Sequence, residues 1–287
     1  IFSLLTGEPL NMTSPITGES LRWTWKRDYG CNYPIACENF VSFRSAAAGY
    51  YDLENQSGTG HFGGFKSGCT SNLIAADGVL NAPDYTRTCS CSYQNQTSLA
   101  MVHMPDNEAW TFTTLERGKE PIQRLGINLG APGDRVSETG TVWLEYPIEG
   151  GPSPKIIVSV SPEKVIYHRV HSSRVAEETM NWVFASGVTG LDRLSVQVGN
   201  KTPSAYSVRL FFCETRAKST QNNSFDVALQ GLTVLRDFDV LKESGGLNQG
   251  IVKEFAGVAI GENLEVTFAS DDQKSTLLSG IEIVAEQ

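Results

Sequence analysis

The 287-residue sequence predicts an all-β chain. Residues 206–213 and 225–230 alternate in side-chain type, the period of two expected of strands packed on one face. Glycines separate the apolar runs of the last third, at spacings that suit a sandwich or jelly roll rather than crossover helices. The best helical candidate, residues 173–180, is short and has no sustained apolar stripe. The length allows two β domains, each with its own core.

Composition and charge exclude two classes of partner. The chain has 23 basic and 32 acidic residues and a formal net charge of -9. A negative protein is not attracted to nucleic acid or to anionic membrane surfaces. No stretch approaches the roughly 18 apolar residues that a membrane-spanning helix requires. We therefore expect neither a nucleic-acid partner nor a membrane span.

Residues 1–117 form the first predicted domain. Short strands at 40–44, 49–53, 71–76 and 78–82 are separated by Gly, Asn and Asp turns. Two T-G-E turns precede a Trp-rich strand near the start.

This order of turns and strands resembles the C-terminal part of a quinoprotein-like β-propeller, as in large secreted planctomycete-type bacterial proteins. The resemblance implies one or two blades, whereas a propeller has at least four. We therefore expect the chain to be a fragment or processed part of a larger propeller protein. Further propeller blades or another polypeptide would cover residues 1–117.

The cysteines of the first domain favour disulfides. Cys89 and Cys91 flank one residue, so in extended chain both side chains point to the same face and each reaches another segment more easily than its neighbour. Cys31 and Cys69 are the candidate partners for these bridges. A metal site is disfavoured because the cluster lacks a C-x-x-C pair and a nearby histidine, and reduced thiols stay a third alternative. Disulfides predict an extracytoplasmic location, periplasmic or secreted.

A linker at residues 118–123 leads into the second predicted domain, residues 124–287. Its strongest motifs are FDV at 225–227, VLRDFDV at 234–240 and LSGIEI at 278–283. Together they resemble a malectin-type carbohydrate-binding domain. The resemblance implies a malectin-like jelly-roll β-sandwich and an oligosaccharide or polysaccharide partner.

Aromatic and polar side chains in the loops of this domain are the candidate ligand contacts. Sugar sites combine flat aromatic faces with amides, carboxylates and guanidinium groups. Packing in the core is the alternative for each aromatic. Residues 171–188 lack the tyrosines of animal malectin, so glucose disaccharides are not implied as ligands. The predicted ligand-binding residues are Asp134, Arg135, Tyr146, Tyr167, His168, Asn181 and Trp182.

Catalytic patterns are absent from the sequence. Asp237 and Asp239 alternate along a predicted strand, but nothing places two carboxylates across a glycosidic bond. The four histidines are scattered, and there is no nucleophile elbow or phosphate loop. We therefore predict no catalytic residue, no metal ligand and no cofactor, with calcium left open.

The predicted function is an extracytoplasmic carbohydrate-binding or interaction module. The alternative is an accessory part of a secreted polysaccharide-active hydrolase or of a quinoprotein-type oxidoreductase. In that case the active site lies elsewhere in the polypeptide.

Overall fold

The computed structural model describes residues 1–27, 29–65, 73–83, 98–102, 104, 107–216, 223–272 and 275–286. It is all-β with a few short helical turns, as the sequence predicts. The chain forms two compact units. The first contains Ile1–Asn11, Arg22–Leu115 and Asp134–Val136, and the second contains Met12–Leu21, Glu116–Gly133 and Ser137–Gln287. The predicted domain boundaries at 117 and 124 stay a prediction.

The first eleven strands in chain order begin near the N-terminus and end at the entry to the second unit. Their bounds are β1 Asn11–Thr13, β2 Ser20–Arg22, β3 Ile35–Ala36, β4 Phe40–Ser45, β5 Ala47–Asp52, β6 Thr59–His61, β7 Ile74–Ala76, β8 Val79–Ala82, β9 Leu99–Val102, β10 Thr111–Phe112 and β11 Arg124–Leu129.

Two sheets organise the first unit. Strands pair in the order β10-β6-β5-β4-β3 in one sheet and β7-β8-β9 in the other. Ala46, at φ 57°, reverses the chain between β4 and β5, which then pair in register. Phe65, Leu73 and Leu80 lie in the core of this unit. Strands β4, β5 and β8 match the predicted strands 40–44, 49–53 and 78–82, and β7 matches the described part of 71–76.

The remaining elements belong to the second unit, apart from the short strand β12, which lies in the first. Their bounds are β12 Arg135–Val136, β13 Val142–Tyr146, β14 Val158–Ser161, β15 Ile166–Arg169, a 3₁₀ turn Ser172–Arg174, α1 Asn181–Phe184, β16 Ser186–Thr189, β17 Arg193–Gln197, β18 Ser204–Cys213, β19 Phe225–Leu229, β20 Leu232–Phe238, α2 Val240–Ser244, β21 Gly250–Ile260, β22 Asn263–Ala269, β23 Leu277–Leu278 and β24 Gly280–Ala285.

The second unit is a β-sandwich. One sheet contains the order β13-β11-β24-β18-β21 and the other β14-β17-β22-β19-β20. Phe212 of the first sheet contacts Phe225 and Phe238 of the second, with ring centroids 6.2 and 4.9 Å apart. Alternate residues of β19 are buried, so the predicted period of two is confirmed and its apolar face forms the core. A small third sheet, β15-β16-β23, completes the unit.

A close approach of backbone to an aromatic ring explains one core glycine. Gly126 of β11 pairs with Trp143 of the parallel strand β13. A Cβ at position 126 would lie 2.2 Å from Cδ2 of the fully buried Trp143 indole. Only glycine lets the indole lie flat against this strand.

Two local expectations differ from the structure. The predicted strand 234–240 ends at Phe238, because Asp237 adopts a left-handed backbone at φ 48° and Asp239 caps helix α2. Asp237 and Asp239 therefore do not alternate along one strand. The helical turn expected at 173–180 is found only at its start, in the 3₁₀ turn Ser172–Arg174, and α1 begins directly after it at Asn181.

Within the described part of the chain, Cys31, Cys37 and Cys213 are not bridged to one another. Cys31 is exposed and its Sγ lies 3.1 Å from the hydroxyl of Tyr29. Cys69, Cys89 and Cys91 lie outside the described residues, so the predicted bridges stay a prediction.

Within the described ranges, no helix combines the length and apolar character needed to cross a membrane.

Candidate functional site

The seven residues predicted to bind a ligand belong to two compact units, and the five in the second unit do not share one surface. Asp134 and Arg135 belong to the first compact unit, and the other five belong to the second. Asp134 is fully buried, and its carboxylate accepts a hydrogen bond from the backbone N–H of Thr113 at 2.9 Å. The Arg135 guanidinium lies 5.4 Å from the ring centroid of Trp110, within cation–π range. The structure thus gives both side chains packing roles within their own unit.

Tyr146 and Tyr167 form an aromatic pair. Their ring centroids are 6.4 Å apart and the rings meet edge to face at 65°. Burial raises the pKa of both phenols, that of Tyr167 to about 12. Both hydroxyls are therefore protonated at physiological pH. Ile148, two residues after Tyr146, is 53% exposed, whereas Ile166, 63% exposed, lies on the opposite face of β15 from Tyr167.

A buried carboxylate holds the loop that follows Tyr146. Glu145 is 2% exposed and accepts hydrogen bonds from the N–H of Gly150 at 3.1 and 3.2 Å. Burial raises the pKa of Glu145, although the backbone hydrogen bonds act in the opposite direction. The Glu145 carboxylate therefore holds the loop in one conformation, and Tyr146 lies at the start of this ordered segment.

Asn181 and Trp182 lie on helix α1, and the indole is part of the core. Trp182 is 8% exposed and packs edge to face on Trp143, with centroids 5.8 Å apart. Its carbonyl accepts a hydrogen bond from the amide of the buried Asn128 at 3.4 Å. Asn181, at the start of the helix, is half-buried. Trp182 therefore offers a ligand little ring surface.

His168 faces away from the tyrosine pair, because successive strand residues point to opposite faces. It pairs with Gly187, where a Cβ would lie 3.1 Å from the imidazole Cε1. Neither ring nitrogen has a hydrogen-bond partner among the described residues. Burial, reinforced by Arg216, lowers the pKa of His168 to about 4 despite the attraction of Glu214. The ring is therefore neutral at physiological pH.

The second unit has a cleft on the same side of the small sheet as His168. Ile166, Thr189 and Leu277 are paired across β15, β16 and β23, so position 277 shares the face of position 168. The cleft is small, with about 10 Å³ of enclosed space. It is lined by Glu214, Asn223, Asp239, Val240, Leu241, Ser275 and Leu277.

Glu214, in the lining of the cleft, forms an ion pair with Arg216. Glu214 Oε1 accepts hydrogen bonds from the backbone N–H and Nε of Arg216, both at 2.9 Å, and Oε2 accepts one from Nη2 at 2.7 Å. Burial opposes ionisation of Glu214. The hydrogen bonds from Arg216 outweigh it and hold the pKa of the carboxyl below its usual value. The cleft therefore contains an ionised, rigidly oriented carboxylate.

Further polar groups surround this pair. Asp239 Oδ1 accepts the N–H of Lys242 at 3.3 Å as the N-cap of α2, and Ser275 Oγ donates to the carbonyl of Asp272 at 2.6 Å. Val240 and Leu241 supply an apolar wall beside them. Carboxylate, amide and hydroxyl groups next to aliphatic carbon are the chemistry that binds polyhydroxylated ligands.

Sequence reasoning missed this cleft because its members are distant in the chain. One signal existed. Glu214 and Arg216 directly follow the apolar strand β18, and polar side chains at strand ends on a rigid scaffold are favoured positions for binding. Within the described residues, no three His, Cys, Asp or Glu side chains lie together in a way that holds a metal ion.

Comparisons with solved structures give low identities and partial coverage. The plant Receptor-like Kinase FER aligns with a TM-score of 0.42 at 16% identity, over 57% of this chain and 42% of that one. The ANX2 ectodomain from Arabidopsis thaliana gives 0.43 and 13%, over 57% and 42%. A Bacteroides uniformis beta-glucuronidase 2 gives 0.46 and 14%, over 88% and 28%. The chain thus spans less than half the length of each of these structures.

A search of curated proteins finds no match. The Malectin domain family, by contrast, matches residues 125–284, which is more than half of the chain. This match covers the β-sandwich, its tyrosine pair and its cleft. The chain belongs to the malectin domain family.

Proposed function

We propose that this malectin-domain chain is an extracytoplasmic carbohydrate-binding module whose ligand lies against the mouth of the cleft beside Glu214. One observation carries the proposal. A buried carboxylate, fixed by three hydrogen bonds from Arg216, opens on a cleft that also presents Asp239 and Ser275. Binding to such an array costs little conformational entropy, because its groups are ordered before the ligand arrives.

The cleft is too small to enclose a sugar ring. Pockets for drug-sized molecules typically measure about 300–1,000 Å³, whereas the enclosed space here is about 10 Å³, roughly what one water molecule needs. A terminal sugar ring would therefore rest on the mouth of the cleft, with a hydroxyl directed at the polar groups and its C–H face against Val240 and Leu241. An affinity near 1 mM, about -4 kcal/mol, is the order expected of so small a contact.

The tyrosine pair is a second candidate contact. Tyr146 and Tyr167 lie on the face of β15 opposite His168, so one sugar ring cannot touch both the pair and the cleft. A ligand held by the pair would stack on an aromatic edge and on exposed aliphatic carbon. Variants of the two places therefore distinguish them.

A glycan array followed by calorimetry tests the proposal. Asp239→Asn removes a charge from the cleft and keeps the helix cap, since asparagine also caps helices well. We expect this change, and Glu214→Gln, to weaken binding at least about tenfold. Glu243→Gln is the matched control, because Glu243 is exposed and paired with Lys253 outside the cleft.

The outcomes separate the alternatives. If Tyr167→Ala abolishes binding and the cleft variants do not, the ligand lies on the tyrosine pair. If plant, algal and bacterial oligosaccharides all fail to bind at millimolar concentration, the carbohydrate proposal is wrong. Turnover of a polysaccharide or an alcohol by the purified chain would instead support an enzyme.

The wider setting is also a proposal. Residues 1–117 would be covered by further propeller blades or by another polypeptide, as their resemblance to quinoprotein-like propellers suggests. The chain would then serve as the binding part of a larger secreted or periplasmic protein. Binding through the cleft requires no cofactor.

A further inference from the structure

An eleven-residue repeat opens the chain. Residues 3–13 read SLLTGEPLNMT and residues 14–24 read SPITGESLRWT, and six of the eleven positions are identical. Each copy begins with a tight turn that contains T-G-E. We call residues 3–8 the first turn and residues 14–19 the second turn.

The two turns have the same backbone structure. Gly7 N–H donates to the carbonyl of Ser3 at 2.9 Å, and Gly18 N–H donates to that of Ser14 at the same distance. Both glycines have left-handed backbones, at φ 72° and 76°. In each turn the leading serine hydroxyl accepts the N–H of the threonine three residues later, at 3.3 and 3.2 Å. The repeat therefore builds one structural element twice.

The second turn is docked within its own unit. Ile16, at its tip, is fully buried. Its carbonyl accepts hydrogen bonds from the N–H groups of Gln123 at 2.7 Å and Arg124 at 3.1 Å. We call residues 118–124 the seat of this turn. The seat holds the turn through backbone amides that belong to the entry of β11.

The second turn also binds the seat through Glu19, the carboxylate that both copies of the repeat contain. Glu19 Oε2 accepts the N–H of Lys119 at 2.7 Å and of Glu120 at 3.0 Å. The hydrogen bond from Glu120 is the leading cause that lowers the pKa of Glu19. A Cβ at Gly118 would lie 1.9 Å from this oxygen, so glycine makes room for the carboxylate. Two adjacent amides thus recognise the glutamate of the T-G-E sequence.

The first turn presents the same groups to solvent. Leu5, at the position of Ile16, is 96% exposed, and Leu4 is 101% exposed. Glu8, at the position of Glu19, is exposed as well. Two leucines and a carboxylate stand at a tip whose equivalent is buried elsewhere in the same chain. A large exposed apolar patch of this kind indicates an interaction site.

The stem below the first turn is ordered, so the tip is held in place. Phe2 bridges Pro9, and Leu10 N–H donates to the carbonyl of Ile1 at 3.0 Å. The Arg22 guanidinium lies 5.1 Å from the Phe2 ring centroid. Because the tip is already ordered, it loses little conformational entropy on binding, and this favours docking.

We propose that the first turn is a docking element for a seat of the same construction on a partner β-domain. The partner offers an apolar pocket to Leu5, two N–H groups to its carbonyl and two adjacent N–H groups to the Glu8 carboxylate. It belongs to another polypeptide or domain, because the seat in this chain is filled by the second turn. This interaction is independent of the glycan cleft.

An exchange of sequence within the full chain gives the first test. Pro15→Leu with Ile16→Leu gives the second turn the sequence of the first, SLLTGE. If that sequence docks in such a seat, the melting temperature shifts by less than about 3 °C. Ile16→Asp, which forces a charge into the pocket, is the control and lowers it by more than about 6 °C. An exchange variant as destabilised as Ile16→Asp overturns the proposal.

The vacated seat provides the second test, with another copy of the chain as the probe. In full chains carrying Ile16→Asp, the first turn of one copy should enter the seat of another and produce concentration-dependent association in sedimentation. Adding Leu5→Asp should weaken this association at least tenfold, whereas Leu232→Asp, at another exposed leucine, should leave it unchanged.

If folded Ile16→Asp chains do not associate, the docking role is refuted. It is also refuted if their association persists after Leu5→Asp is added. If circular dichroism shows that the Ile16→Asp chain does not fold, a peptide of residues 1–13 replaces the second copy. It is added to the milder variant Ile16→Ala and should raise its melting temperature by at least about 2 °C, and a Leu5→Asp peptide should not. A peptide without effect counts against the proposal.

Discussion

Replacing His168 by glutamine should remove a large part of the dependence of stability on pH. The buried imidazole has a pKa of about 4 in the folded chain, against 6.5 for the ordinary side chain. The unfolded chain therefore binds a proton as the pH falls below 6.5, while the folded chain does so only near pH 4. Stability from this group is fully present above pH 6.5 and is lost as the pH falls toward 4.

The size of this loss follows from the two pKa values. One pKa unit corresponds to about 1.4 kcal/mol, so the whole range amounts to roughly 3 kcal/mol of unfolding free energy. Between pH 7 and pH 5 the expected loss is about 2 kcal/mol. Glu214, whose folded pKa lies below its ordinary value of 4.5, loses its contribution only at lower pH. The buried Glu145, whose pKa is raised, contributes with the opposite sign, so the difference between the wild-type and His168→Gln chains isolates the histidine.

Urea unfolding at half-unit pH steps measures the effect. We expect the wild-type chain to lose about 2 kcal/mol between pH 7 and 5 and His168→Gln to lose much less. His171→Gln is the matched control, because His171 is exposed and hydrogen-bonded to Ser173 at 2.8 Å. Equal slopes for the wild-type and His168→Gln chains would contradict a buried, neutral His168, whatever the absolute stabilities.

Three further predictions concern packing, hydrogen bonding and redox state. Gly126→Ala should cost about 1–3 kcal/mol because its methyl group would meet the Trp143 ring. Gly64→Ala, with open space around it, should change stability by less than about 0.5 kcal/mol in the same chemical denaturation. Tyr206→Phe should cost about 1–3 kcal/mol, because its buried hydroxyl donates to the carbonyl of Ile122 at 2.8 Å; an unchanged unfolding midpoint would contradict this. Mass spectrometry of the unreduced protein should find at least two disulfides among the clustered cysteines, and six free thiols would rule them out.

Parts of the fold follow from local sequence alone. Alternation along β19 and the apolar run of β18 specify strands, because a strand shows one face to the core at every second residue. The strand predicted at 234–240 extends two residues beyond the end of β20 at Phe238, because apolar alternation does not show where a backbone turns. Asp237 leaves the extended region and Asp239 caps a helix, and both depend on the neighbours that the fold supplies.

Residue pattern alone is enough to predict the all-β class, the sandwich and the kinds of side chain available for binding. Which of these side chains meet is set by long-range packing. Tyr146 and Tyr167 come together as an aromatic pair, Trp182 is buried against Trp143, and Glu214 gains its place in a cleft. Local periodicity reports which face of a strand is buried. The meeting of residues distant in the chain depends on sheet order and loop paths, which only long-range packing fixes.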